Sequence, residues 1–177
     1  MSPLHAGGLV PDRSPYDLFL ADYRIALLKT FQPAIQGAPR LQMMALPSFQ
    51  KEYAVTVLAD RERAILRVAT LDAQVWESFS DGTYQEGIHP TASSVDVDVS
   101  YSFYKDLERY TCSAMAEASF DHSSMGLDGE AYHFSAICIE RGFDGGARTW
   151  SPDPDSDAGK LVAVYDSLLA AAALLKS

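Results

Sequence analysis

Apolar residues recur with helical spacing at Tyr16, Leu20, Tyr23, Leu27 and Phe31, all within about 60° of one direction on a helical wheel. With Ser14 and Pro15 as cap and first turn, this spacing predicts an amphipathic helix ending before Pro33. Gln36-Gly37-Ala38-Pro39 then breaks the chain. The short apolar piece 41–46 is stopped by Pro47 and reads as a loop or a single turn. Residues 53–58 and 63–70 are two β-rich runs joined by the polar Ala59-Asp60-Arg61-Glu62, a connection of hairpin length. Tyr53, Val55 and Val57 share one face of the first run. The second run carries apolar groups on both faces, which predicts an interior strand. Residues 71–79, with Val75, Trp76 and Phe79, fit either a further strand or a helical turn. Val95, Val97 and Val99 alternate with Asp96 and Asp98, the pattern of a half-buried strand whose outer carboxylates suit a sheet edge.

Downstream, Phe103, Leu107, Thr111, Ala114 and Ala118 form a helical stripe over 101–118. A turn at 123–129 leads into a strand over 131–139. Residues 142–146, Gly-Phe-Asp-Gly-Gly, read as a turn, and 148–154 as a loop carrying Trp150. The last helix, 157–175, gathers Leu161, Tyr165, Leu168, Leu169 and Ala172 on one face, with Asp153, Asp155 and Asp157 near the positive end of its dipole. Residues 1–15 have no period and read as a mobile tail. The expected fold is α+β: one domain over 16–177, a mainly antiparallel sheet of four or five strands, and two or three helices packed on one face.

At 177 residues and 47% hydrophobic content the chain can bury a core without metal or disulfide staples. Its longest apolar run, 168–175, is far short of the ~20 residues of a membrane span. A formal net charge of −10 without a basic stripe argues against nucleic acid and favours encounter with basic proteins. No basic, apolar leader opens the sequence, so the expected compartment is the cytoplasm, or the periplasm if a leader has been removed. Cys112 and Cys138 are the two cysteines. Cys138 alternates with Phe134 and Ala136 and reads as core. Cys112 lies about 140° from the stripe centred on Leu107 and Ala114, which argues against a bond between them.

Candidate chemistry is sparse. Asp153, Asp155, Asp157 and Gly159 echo a calcium loop, but the glycine falls at position seven and Val164 stands where a bidentate glutamate belongs. Asp96 and Asp98 share a strand face, a spacing at which two carboxylates can work as an acid–base pair or hold Mg²⁺. His133 faces away from Tyr132 and Phe134. No nucleophile elbow, phosphate loop or histidine pair of zincin spacing is present, and no cofactor is implied.

The stretch Leu127-Asp128-Gly129, Tyr132-His133-Phe134, a glycine loop, Trp150-Ser151-Pro152 and a terminal amphipathic helix resembles the tail of a group of small uncharacterised bacterial proteins. The resemblance covers the last 50 residues or so and implies no chemistry. In bulk properties the chain is also similar to bacterial immunity proteins, which bind and neutralise a toxin.

Two functions follow as expectations. The first is a non-catalytic binder of a more basic protein, of immunity type in its narrowest form. Phe143 and Trp150 would be its anchors, with Glu86, Asp96, Asp98, Asp144 and Asp153 steering the encounter. The second is a small hydrolase or metal-dependent enzyme built on Asp96, Asp98 and His133.

Overall fold

The structure, a computed structural model, describes residues 10–11, 18–84, 87, 89–117 and 129–174. Apart from Val10 and Pro11, the expected tail lies outside these residues. So do Glu86, Leu127 and Asp128.

In chain order the elements are β1 (Val10–Pro11), α1 (Leu18–Ile35), β2 (Leu41–Pro47), β3 (Tyr53–Ala59), β4 (Ala64–Leu71), α2 (Val75–Ser80), β5 (Ala92–Val99), α3 (Tyr101–Ala116), β6 (Glu130–Cys138), β7 (Phe143–Trp150) and α4 (Asp157–Leu174). The strands form one antiparallel sheet in the order β1-β7-β6-β2-β3-β4-β5. The α+β class and the antiparallel sheet stand as expected. The sheet has seven strands rather than four or five, counting the two-residue β1.

Helices cover both faces of the sheet rather than one. Leu41, Met43, Val55, Val57, Leu66, Phe134 and Ala136 meet Leu107 and Met115 of α3 and Leu161, Tyr165 and Ala172 of α4. On the other face Met44, Leu46, Ala54, Ala69 and Leu71 meet Leu27, Phe31 and Ile35 of α1 and Val75 of α2. This two-sided burial is why the sequence pattern of β2, the central strand, predicts a loop or a single turn instead of a strand. A strand enclosed on both faces loses the apolar–polar alternation, and all seven β2 residues are buried.

Three further boundaries depart from the sequence reading. α1 runs through Pro33 to Ile35. Lys29, whose carbonyl loses its partner there, is exposed along with Gln32 and Pro33, so water can take the bond. The ambiguous piece after β4 is the helix α2. Residues 143–150, read as turn and loop, form β7, paired with β6 from Cys138↔Phe143 to Ala131↔Trp150. Gly145 and Gly146 mask a strand whose Ala147 and Thr149 are buried on one face.

Cys112 and Cys138 form a disulfide, with their Cα atoms 5.8 Å apart, contrary to the wheel argument. The buried side of α3 is Tyr104, Leu107, Glu108, Thr111, Cys112 and Met115. Its centre is turned about 70° from Leu107 at ~100° per residue, and this rotation carries Cys112 inward. The stripe expected from Phe103 was misplaced because Phe103 is exposed. The bond ties α3, the crossover from the β5 edge, to the end of β6.

Candidate functional site

The residues singled out from sequence lie on two opposite edges of the sheet. Asp96 and Asp98 are on β5, an edge strand as expected; Asp96 stands opposite Arg67 of β4, and Asp98 pairs with Arg63, the residue before β4. Arg67 donates from Nε and Nη2 to the two oxygens of Asp96, 2.6 Å each, and from Nη1 to the Gln36 carbonyl at 2.9 Å. Arg63 reaches Asp98 at 3.2 Å. The Arg67 hydrogen bonds hold the Asp96 carboxyl below its ordinary range, against the opposing effect of desolvation. His133 is on β6, four strand spacings from β5, or roughly 19 Å. Asp96, Asp98 and His133 therefore do not converge. Among the described residues no group of three or more His, Cys, Asp or Glu is placed to hold a metal ion.

Phe143 and Asp144 open β7, whereas Trp150 and Asp153 lie at its far end, seven residues and roughly 23 Å of strand later. Phe143 is half-buried opposite Cys138, and Asp144 is exposed opposite Ile137. One anchor thus stands at each end of the strand.

The Trp150 end is the more elaborated surface. Three chain segments are tied together there. Ser48, just after β2, accepts from the Gly129 amide through Oγ (3.3 Å) and donates to the Gly129 carbonyl from both N (3.0 Å) and Oγ (2.8 Å). Ser151 Oγ accepts from Glu130 N at 3.0 Å, and Ser151 N donates to the Glu130 carbonyl at 2.8 Å. Gly129 lies flat against the indole: a Cβ there would sit 2.9 Å from Trp150 Cζ2 and 2.3 Å from Ser151 Oγ. A side chain at 129 would displace the tryptophan. On the turn held by Ser48, Phe49 stands 78% exposed, the most exposed large apolar side chain among the described residues.

The loop that follows is built by its own side chains. Asp153 Oδ1 accepts from the Asp155 amide (2.9 Å), and the Asp153 carbonyl accepts from Ser156 N (2.9 Å) and Oγ (2.6 Å). Ser156 Oγ in turn accepts from Gly159 N at 3.0 Å and caps α4. These bonds give Asp153 a part in shaping the loop, and Asp153, Asp155 and Asp157 all stand exposed at the start of α4.

Behind this surface lie two phenol–carboxylate pairs. Tyr53 donates to Asp166 at 2.6 Å, and Tyr132 donates to Glu130. Burial, then the carboxylate contact, pushes both phenols up. Burial likewise raises the Asp166 carboxyl, with a smaller contribution from Glu130 and an opposing one from the Tyr53 bond.

Sequence reasoning named Trp150 and Asp153 but missed Phe49 and Glu130. A single phenylalanine in a polar turn carries no period, and the bonds that place it next to Gly129 span 81 residues. No family model, curated protein or solved structure matches the chain.

Proposed function

We propose that the protein is a non-catalytic binding module that offers the Phe49–Trp150 end of the sheet to a more basic protein. The observation that carries this reading is the exposed Phe49 on a turn locked through Ser48 to Gly129, which packs on Trp150 at the end of β7 where the exposed carboxylates of 153–157 follow in the chain. An apolar anchor in an acidic surround suits a partner that brings cations to its rim. Phe143 and Asp144 belong to a separate face and are not needed by it. An immunity-type inhibitor of a basic toxin is the narrowest form of the same reading. The Cys112–Cys138 bond supports an oxidising compartment, where such bonds persist, over the cytoplasm.

Pull-down from lysate of the source organism tests the reading when wild type is compared with Phe49→Ala and with the double variant Asp153→Lys, Asp155→Lys. The expected result is one stoichiometric basic partner, released by salt and lost from both variants. A partner retained equally by all three proteins would overturn the assignment of this surface, and no partner at low salt would overturn the function.

A further inference from the structure

The sheet ends at β5, and bonds at the flanks of β4 fix which way the backbone groups of β5 point. In an antiparallel pair, opposed residues bond each other at alternate positions. Asp72 N donates to the Thr91 carbonyl at 3.1 Å, one step beyond the Leu71↔Ala92 pair, so residues 93, 95, 97 and 99 turn their backbone groups to β4. The far side of β4 agrees. Asp60 N donates to the Arg63 carbonyl at 3.1 Å, one step beyond Ala59↔Ala64, which turns the odd residues of β4 to β3 and its even ones to β5. Ala92, Ser94, Asp96 and Asp98 therefore point N–H and C=O away from the sheet. Among the described residues no hydrogen bond reaches these backbone groups.

Such an edge accepts a further strand. Two properties fit this one to a copy of itself. The first is register. A two-fold axis at Val95 sets Ala92 against the second copy's Asp98 and Ser94 against its Asp96, so all four outward residues meet outward partners and none is left over. The second is charge. Carboxylates placed opposite one another would repel, but in this register Asp96 meets a serine and Asp98 an alanine. Each carboxylate is also held within its own chain, Asp96 by Nε and Nη2 of Arg67 at 2.6 Å each and Asp98 by Arg63 at 3.2 Å, so neither is left for a basic strand to answer. On the opposite face the half-buried Val95 meets its own copy. Just past the strand Tyr101 and Phe103 stand 38% and 37% exposed, which puts apolar surface at both ends of a two-fold ribbon.

We infer that β5 is a self-association edge, through which two copies of the chain pair antiparallel over residues 92–98 about a two-fold axis at Val95 and continue one sheet into the next. Phe49 and Trp150 lie on other elements, and this pairing makes no use of them.

Sedimentation velocity of the whole chain from about 1 to about 100 µM, in salt enough to screen two chains of net charge −10 each, tests the pairing. The expected result is a monomer–dimer equilibrium. Ser94→Pro removes an outward N–H and no bond to β4, so the fold should melt as wild type while the dimer is lost. Ser94→Glu keeps every backbone group and should weaken the dimer about threefold or more, because it faces Asp96. Cysteine variants treated with oxidised glutathione read the register, since the two native cysteines already bond each other. Val95→Cys, opposite itself at a Cα separation of about 4.5 Å, should give a disulfide-linked dimer, and Val97→Cys, opposite Ser93, should not. A single-chain mass at about 100 µM, or wild-type dimerisation in Ser94→Glu or in a folded Ser94→Pro, would overturn the pairing. No cross-link in Val95→Cys, or one formed as readily in Val97→Cys, would overturn the two-fold at Val95. None of these outcomes bears on the Phe49 surface, which the pull-down reads separately.

Discussion

Tyr23 of α1 donates its phenolic hydroxyl to the carboxylate of Glu52, a side chain with no solvent exposure. The same carboxylate accepts from the amides of Val75 (3.0 Å) and Trp76 (2.9 Å), so it satisfies the first N–H groups of α2 while packed in the α1–α2 layer. The Tyr23 ring meets Trp76 edge to face, centroids 5.2 Å apart, and burial followed by the Glu52 charge pushes its phenol up. Glu52→Ala leaves three donors without an acceptor and is expected to destabilise the fold by roughly 3–5 kcal/mol. Glu52→Gln should cost less, because the amide oxygen still accepts. Urea unfolding at neutral pH measures both. An unshifted midpoint in Glu52→Ala would show that these bonds contribute nothing net.

Gly159 in the first turn of α4 has no room for a side chain. A Cβ there would stand 2.1 Å from the Asp153 carbonyl oxygen and 2.8 Å from Pro154 Cα, both backbone atoms. Gly159→Ala should therefore displace the 153–157 loop and destabilise by roughly 1–3 kcal/mol, although alanine is otherwise the better helix former. Thermal melting gives the sign. A stabilised variant would mean that the loop yields freely.

Reduction of Cys112–Cys138 removes a cross-link spanning 26 residues, a span for which chain entropy predicts about 3 kcal/mol. The melting temperature should fall on adding reductant, and the Cys112→Ala, Cys138→Ala variant should be insensitive to it. Alkylation and intact mass of the protein isolated without reductant should find no free thiol.

Asp166 governs a pH dependence of a particular sign. Its carboxyl is raised in the folded state, chiefly by burial, so the stability it contributes is fully present below its unfolded pKa and is lost as pH rises through the higher folded value. Asp166→Asn keeps an acceptor for Tyr53 and removes the titration. The variant should match wild type in acid and gain on it as pH rises through and above the carboxylate range. Denaturant midpoints from about pH 3 to about pH 7 test this. A difference independent of pH would refute the assignment.

Asp96 behaves oppositely. Its carboxyl is depressed, first by the Arg67 hydrogen bonds, so that contribution is present above the unfolded pKa and lost as pH falls through the folded one. Arg67→Met should thus reduce the stability gained on going from acid to neutral pH, by about 1 kcal/mol or less because the Asp96 side chain is 43% exposed. An unchanged acid-to-neutral slope would show that the pair carries no pH-dependent stability.

Local pattern was enough for the elements with one wet face. The 3.6-residue stripe of α4 and the Val–Asp alternation of β5 were legible because a half-buried element must alternate at its own period, and the β3–β4 hairpin, buried on both faces, was legible from its β-rich runs and short polar connection. The α+β class followed from their order. What local pattern could not hold was set by neighbours distant in sequence. β2 is apolar throughout because helices close both sides of it. β7 is a strand despite its glycines because β6 supplies its ladder, and Cys112 points inward because α3 settles on the sheet about 70° from where its own apolar residues suggested. At the candidate surfaces the division is the same. The sequence alone named Trp150 and Asp153, an aromatic residue and a charge in a loop. Only the folded chain tied Ser48, and with it the Phe49 turn, to Gly129, since a contact across 81 residues leaves no trace in a local period.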